Sequence, residues 1–444
     1  MEENPLPNRQ EESKETVLKH STFEDKEERN WIFFSWQHVG AMVFTAVLFV
    51  LLAIIPWGEW DFIDPISETF ADFEITDLVF SKLRTNQEID TNIVIVSIGT
   101  LPRAGIAEQI RLIQLYQPKV IGIDAFFWKR KDSLIDQELI NSLKDYNNVV
   151  VVTKLDSLDT SSEAETKDWK VLKTSFSEFH STAKSSGFAN MYSDEDKGFR
   201  TIRGFVPSQT VKGKKVNNFA VEVAKIFDSN SVQLLHRRNK EVEVINYRGD
   251  HNSFYFFDYD QITPETDLQI VKDKIVLLGF VDNRFSDETG YKVISGSVED
   301  AFFTPMNKKY VGKTYPDMYG VVVHANVISM ILHKQYIDKI PKYLSLIVVF
   351  IFTYFSIVLL TYLYNKFKKY YDTVALVTQI FMSTSLMFIF LLIFDTFNFD
   401  ADFTLVFAIL GVLINLNGLE IYFGLVTQVK ILYIRYYVLR NKKV

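Results

Sequence analysis

Residues 119–126 read Lys119-Val120-Ile121-Gly122-Ile123-Asp124-Ala125-Phe126, an apolar run of strand length that ends close to a carboxylate. Three other runs share its character: Asn92–Ile98 (NIVIVSI), Val149–Thr153 (VVVVT) and Lys274–Phe280 (KIVLLGF). All are rich in Val and Ile and nearly continuous, the pattern of strands covered on both faces. Ile106, Ile110 and Ile113 recur at helical spacing around Ala107–Tyr116, and Ile135, Leu139, Leu143 and Tyr146 do so across Leu134–Tyr146. Strand–helix–strand–helix–strand predicts parallel pairing through right-handed crossovers. The expectation is an α/β domain with a mostly parallel sheet.

Further along, the pattern loosens. Asp156–Lys173 is polar and reads as an exposed loop. Ser186–Tyr192 and Thr201–Pro207 read as a strand pair around the Ser193–Gly198 turn. Asn217–Phe227 is an amphipathic helix, Glu241–Tyr247 a strand, and Val321–His333 a helix, with Pro341 as punctuation.

Outside this region the chain is of another kind. With 48% hydrophobic and 23% charged residues over 444 positions, a mean hydropathy of +0.04 requires apolar residues to be segregated. A bilayer core of about 30 Å takes about 20 apolar helical residues. Residues 36–55, 343–365, 373–394 and 403–428 meet that length, and within these stretches Glu420 is the one charge. Lys366, Lys368 and Lys369 follow the second span, Asp395, Asp400 and Asp402 follow the third, and a basic tail at 429–444 follows the fourth. Since Lys and Arg stay on the cytoplasmic side, both termini are predicted to be cytoplasmic and 58–341 extracytoplasmic, on a bacterial inner membrane. The leader at 1–30 is acidic and polar, predicted disordered, and the span after it is too long for a cleaved signal.

Several chemistries are excluded. The absence of Cys removes disulfides, thiolate zinc, iron–sulfur clusters and a cysteine nucleophile. A net charge of −7 argues against nucleic acid. Asp194-x-Asp196-x-Gly198 lacks the third carboxylate and distal Glu of a calcium loop, and Gly312-Lys313-Thr314 lacks the first Gly of a phosphate loop, its place held by Asn307. No GxGxxG, HExxH or GxSxG occurs. Neither a metal, a cofactor nor a catalytic group is therefore expected.

The candidate site residues come from placement. Asp124 ends a buried strand, where open α/β sheets gather ligands, although a loop-capping role fits it equally in kind. Arg200, Arg203 and Arg248 are able to clamp an anion in bidentate fashion, or to sit in surface ion pairs. His324 opens a helix and titrates near neutrality when exposed; a packed histidine is its other reading. In the fourth span, Asn417 and Glu420 share a helix face, with Asn415 nearby and Gly411, Gly418 and Gly424 allowing close approach. They read as a polar clamp or as a coupling surface. The apolar and basic residues of Lys430–Val444 read as a lipid-surface helix or as simple positive-inside flanking.

A resemblance runs through these residues. Thr76-Asp77-Leu78 through Arg84, Ile93–Ile98 and Lys119–Asp124 are followed by Gly187-Phe188-Ala189-Asn190, Asp194-x-Asp196 with Arg200, and Ile245-Asn246-Tyr247-Arg248-Gly249. Lys274–Gly279, Asp300-Ala301-Phe302-Phe303-Thr304-Pro305 and Gly320-Val321-x-x-His324-Ala325 complete the series. In order and spacing this resembles the type-two CHASE domain, the extracellular sensory module of membrane histidine kinases and nucleotide cyclases. The resemblance implies a sensor with one span before the domain and three after it. About 16 residues follow the fourth span, so the output is expected from a separate partner, such as a histidine kinase. The rival expectation is a non-sensing envelope protein that binds another protein through its outer domain. The outer ligand, small molecule or protein, is not named by the sequence.

Overall fold

The computed structural model describes residues 35–54, 74–84, 88–144, 146–156, 171–193, 201–281, 300–307 and 316–441. They fall into two compact units, one from residues 61–339 and 391–400, the other from the remaining parts of the chain.

The first unit is built on a sheet of seven strands. Five are β1 (Asp90–Ser97), β2 (Val120–Asp124), β3 (Val149–Asp156), β10 (Phe254–Phe257) and β11 (Ile275–Gly279). They stand in the order β10-β1-β11-β2-β3, every pair parallel. Beyond β3 lie β5 (Ser185–Phe188), parallel to it, and β4 (Val171–Lys173), antiparallel to its last residues. Between the early strands run α2 (Arg103–Gln114) and α3 (Ser133–Lys144). Ile106, Ile110, Ile113, Leu139 and Leu143 pack there against Val94, Val96, Ile121, Ile123 and Val151. The alternate side of β2 meets α5 (Phe219–Phe227): Gly122 leaves room for Phe219 and Val223, which a side chain there would strike at about 3 Å. α7 (Gly320–His333) covers β1 and β11 on that face and is buried along most of its length. With both faces covered, unbroken Val/Ile runs are what burial demands.

Two expectations change. Residues 186–192 do not pair along their length with 201–207. Their first part joins the main sheet as β5, because Gly187 lets the strand lie directly against the backbone of Phe219. An isolated bridge from Tyr192 to Gly204 is what remains of the expected pair, and β6 (Gly204–Phe205) pairs instead with β9 (Glu243–Val244). The second change is the reach of this unit. It includes residues 391–400, where β15 (Phe399–Asp400) pairs in parallel with β14 (Asp338–Lys339).

The other unit contains α1 (Trp36–Ile54), α8 (Lys342–Lys366), most of α9 (Tyr371–Phe397) and α10 (Asp402–Asn441). α8 and α9 are long and apolar enough to cross a membrane. Ala408–Asn415 and Gly418–Tyr436, bent by 43° at the break between them, pass the same test as a pair. In α1 the apolar stretch Trp36–Leu52 is shorter. α1, α8 and α10 pack on one another, with Ala41, Ile357, Leu360 and Leu419 among their buried residues, and Tyr371 and Ala375 of α9 join the same cluster.

Candidate functional site

The carboxyl end of the sheet is where Asp124 was expected to act. It lies opposite Gly279 of β11, and Gly279 has no room for a side chain because Val321, at the start of α7, stands 2.5 Å from where a Cβ would be. Asp300 lies at the same helix start, its Oδ1 2.9 Å from the Cβ position of Gly320. Tyr319 supplies no side-chain cap to α7, and a carboxylate suits the positive end of a helix. Burial raises the pKa of Asp124 well above the usual carboxylate range, the charge of Asp300 adding to it, and burial pushes Asp300 up to about 6. Two crowded acids at a helix start are the chemistry of the place.

The other expected residues lie elsewhere. His324 is buried with its ring 5.0 Å from that of Phe219, and burial pushes its pKa down to about 3, so it stays neutral near pH 7. Among the described residues its Nε2 has no partner. Arg248 is committed: its Nε donates to Ser329 Oγ at 2.9 Å, its guanidinium to the carbonyl of Glu88 at 2.9 Å, and its backbone N–H to Asn326 Oδ1 at 2.7 Å. Arg200 and the Asp194–Gly198 and Gly312–Thr314 motifs lie outside the described residues. In the helical unit Glu420 is exposed, while Asn415 does the clamping: it accepts from Thr45 Oγ1 at 2.8 Å and donates to the carbonyl of Thr353 at 3.1 Å. Gly411 permits this approach, having Thr353 Oγ1 2.3 Å from its Cβ position; Gly418 faces Leu48, and Gly424 open space. Asn417 is in α10, with its side chain outside the described set.

A second place in the α/β unit is a cavity of about 390 Å³, within the usual range of small-molecule sites. Glu74, Asp77, Arg203, Phe80, Phe394 and Asp400 are among the residues lining it. Arg203 grips Asp77 with two hydrogen bonds, 3.2 Å from Nε and 2.6 Å from the terminal nitrogen, and stands 3.6 Å from Glu74. Phe394 and Asp400 are contributed by the 391–400 segment. That segment is held by Arg84, which is 8% exposed. Its Nε donates to Asp395 Oδ1 at 3.0 Å, and one terminal nitrogen donates to the carbonyls of Phe394 and Asp395, both at 3.3 Å, and to Asn398 Oδ1 at 2.9 Å. Its other terminal nitrogen donates to Asn246 Oδ1. The guanidinium also lies 5.2 Å and 5.4 Å from the ring centres of Phe80 and Phe394, a cation–π pairing. Arg84 thus caps the end of α9, where the last carbonyls of a helix lack intrahelical donors, together with the Asn398 N–H, which donates to the Phe394 carbonyl at 2.9 Å.

Arg203 reads in the sequence as an anion clamp or an ion-pair partner; the structure pairs it with Asp77 and Glu74. Neither Glu74 nor the role of Arg84 is legible in the sequence. No local signal marks the partners of Arg84: Glu88 lies four residues on, yet the acceptors come from Asn246 and residues 394–398.

Near the cavity, Asp317 accepts from the Thr304 backbone N–H at 2.7 Å and from Thr304 Oγ1 at 2.5 Å, yet burial outweighs both and pushes its carboxyl up to about 7. The folded protein then keeps a proton that the unfolded chain, near 3.8, has lost. The stability this contributes is full below about pH 4 and is lost as pH rises through about 7. Asp317→Asn is expected to flatten the fall in unfolding free energy across that window, measured by urea titration at successive pH values. A pH slope identical to wild type would show that Asp317 is not the proton acceptor.

Comparison with known proteins matches the family model described as the CHASE2 domain over residues 44–361. No curated protein and no solved structure matches.

Proposed function

The chain belongs to the CHASE2 domain family, a family of sensory domains of signalling proteins, and from that membership we propose that it is a membrane-anchored receptor whose outer α/β unit passes a ligand-induced change inward through its membrane helices. In this reading 36–55, 343–365, 373–394 and 403–428 are four spans, 58–341 is extracytoplasmic, and both termini are cytoplasmic. The protein carries no catalysis of its own and passes its signal to a separate partner. The observation that supports it is the 391–400 segment. It holds the last turns of α9 and the link from α9 to α10, yet it belongs to the α/β unit and contributes Phe394 and Asp400 to the cavity. A ligand that binds one arrangement of this segment better than another shifts the balance between them by that difference in affinity.

Topology is the first test. The native chain has no cysteine, so single cysteines report without background. One at Ser229, exposed at the start of the helix Ser229–Arg238, is expected to react with a membrane-impermeant maleimide in whole cells, and one at Lys369 to react after permeabilisation alone. The opposite pattern overturns the orientation. Cross-linking from the basic tail in native membranes then tests the output: a kinase or cyclase captured there supports signalling, whereas envelope-assembly proteins captured in their place support the non-sensing rival.

A further inference from the structure

The cavity walls are not balanced in charge. Among the described residues lining it, Glu74, Asp77 and Asp400 are acidic, and Arg203 and Lys339 are basic. Arg203 gives its short contact to Asp77, at 2.6 Å, and Lys339 stands 3.6 Å from Asp400. Glu74 keeps a longer contact, 3.6 Å from Arg203, and a weak hydrogen bond from Thr76 Oγ1 at 3.4 Å. Its carboxylate is the charge left over. Burial raises its pKa in spite of the two cations nearby, which says that the site holds this anion at a cost. The rest of the lining is apolar in large part, with Phe80, Phe394, Val244, Ile245 and Ile337.

We propose, resting on the sensor reading above, that this cavity binds a small organic cation, with its ammonium group against the carboxylate of Glu74 and its apolar body along Phe80 and Phe394. An anion is refused for two reasons. It has to compete with Asp77 for Arg203, and it brings a second negative charge beside Glu74; unfavourable contacts of this kind set specificity as much as favourable ones. An ammonium instead makes a charge-assisted hydrogen bond to Glu74 and restores neutrality. Because Phe394 lies in the last turns of α9, which belong to this unit, the occupant touches the end of that helix and the segment that leads on to α10.

Three probes of one shape and different charge test this on the full chain in lipid nanodiscs: phenethylamine, 2-phenylethanol and phenylacetate. Calorimetric titration is expected to show phenethylamine binding about tenfold more tightly than the alcohol, the worth of one charge-assisted hydrogen bond, with phenylacetate weakest. Glu74→Gln is expected to abolish the preference for the amine, and Glu74→Asp, which keeps the charge, to retain it. Equal affinities, a preference for phenylacetate, no binding by any probe, or an unchanged preference in Glu74→Gln each overturns the proposal. Hydrogen exchange of 391–400 is followed in the same samples and is expected to slow with phenethylamine. The expected binding order with no change in that exchange supports the cation site and overturns the transmission route.

Discussion

Arg84→Ala is expected to lower the stability of the α/β unit by about 2–4 kcal/mol, the order seen when one partner of a buried, hydrogen-bonded charge pair is removed. The side chain is buried against Phe80 and Phe394 and serves Asp395, Asn398, Asn246 and two carbonyls at the end of α9. Removal takes this donor from all of them, although Asn398 Oδ1 keeps Asn246 Nδ2 and the Phe394 carbonyl keeps the Asn398 N–H, and opens space between two rings. The exposed side of Asp395, whose side chain is 39% accessible, recovers some of this through water. Arg84→Lys is expected to rescue little, because an ammonium cannot span acceptors laid out for a planar guanidinium. Thermal unfolding of the full chain gives the size of the loss, and hydrogen exchange locates it. Protection of 391–400 is expected to fall in Arg84→Ala more than that of β1 or β11. Unchanged protection there would show that the segment is held by its β14–β15 pairing alone.

Gly187→Ala is expected to cost about 3 kcal/mol, at the upper end of overpacking effects. A Cβ at this position stands 2.6 Å from Phe219 Cα and 2.7 Å from Phe219 N. Backbone atoms cannot rotate away, so β5 and α5 have to part, and the fully buried ring of Phe219 moves with them. Gly213→Ala is the matched control. Nothing lies within 4 Å of its Cβ position, and the cost there, about 1 kcal/mol, comes from its left-handed backbone at φ +78°. Urea midpoints of the two variants separate contact from conformation. Equal shifts would mean that the close approach of β5 to α5 does not limit stability.

What was legible in the sequence follows from how each element is stabilised. β1, β2, β3 and β11 are buried on both faces, so burial itself writes Val and Ile runs, and their parallel pairing follows from the helices between them. β10 was not foreseen. Its Phe254-Tyr255-Phe256-Phe257 run sits at the sheet edge, part-exposed after its first residue, and carries no alternation to mark it. β5 was misassigned because its partner is chosen by a glycine contact with α5, a tertiary fact with no local signature. The site residues divide in the same way. Asp124 stands at a strand end, as its sequence predicts, because the buried run before it fixes the strand. Arg248 reads in the sequence as an anion clamp or a surface ion pair; in the structure it donates to Ser329 and Asn326 of α7 and to the carbonyl of Glu88. Asn415, taken as an accessory to Asn417 and Glu420, holds α1 and α8 to α10, since a buried amide in an apolar bundle finds partners on whichever helix faces it.

The strand order also dictates a schedule. β11 lies between β1 and β2 in the sheet but begins at Ile275, roughly 150 residues after β2 ends at Asp124. A ribosome adds about 5–20 residues per second, so the two oldest strands wait on the order of ten seconds for the one that separates them. Pairing β1 directly to β2 in that interval would be a register trap, to be undone before β11 can enter. The centre of this sheet is therefore the last part to close. Such late, long-range closure makes for slow folding and a prolonged exposure of sticky edges. The nascent chain is expected to need a holdase until residue 279 has emerged.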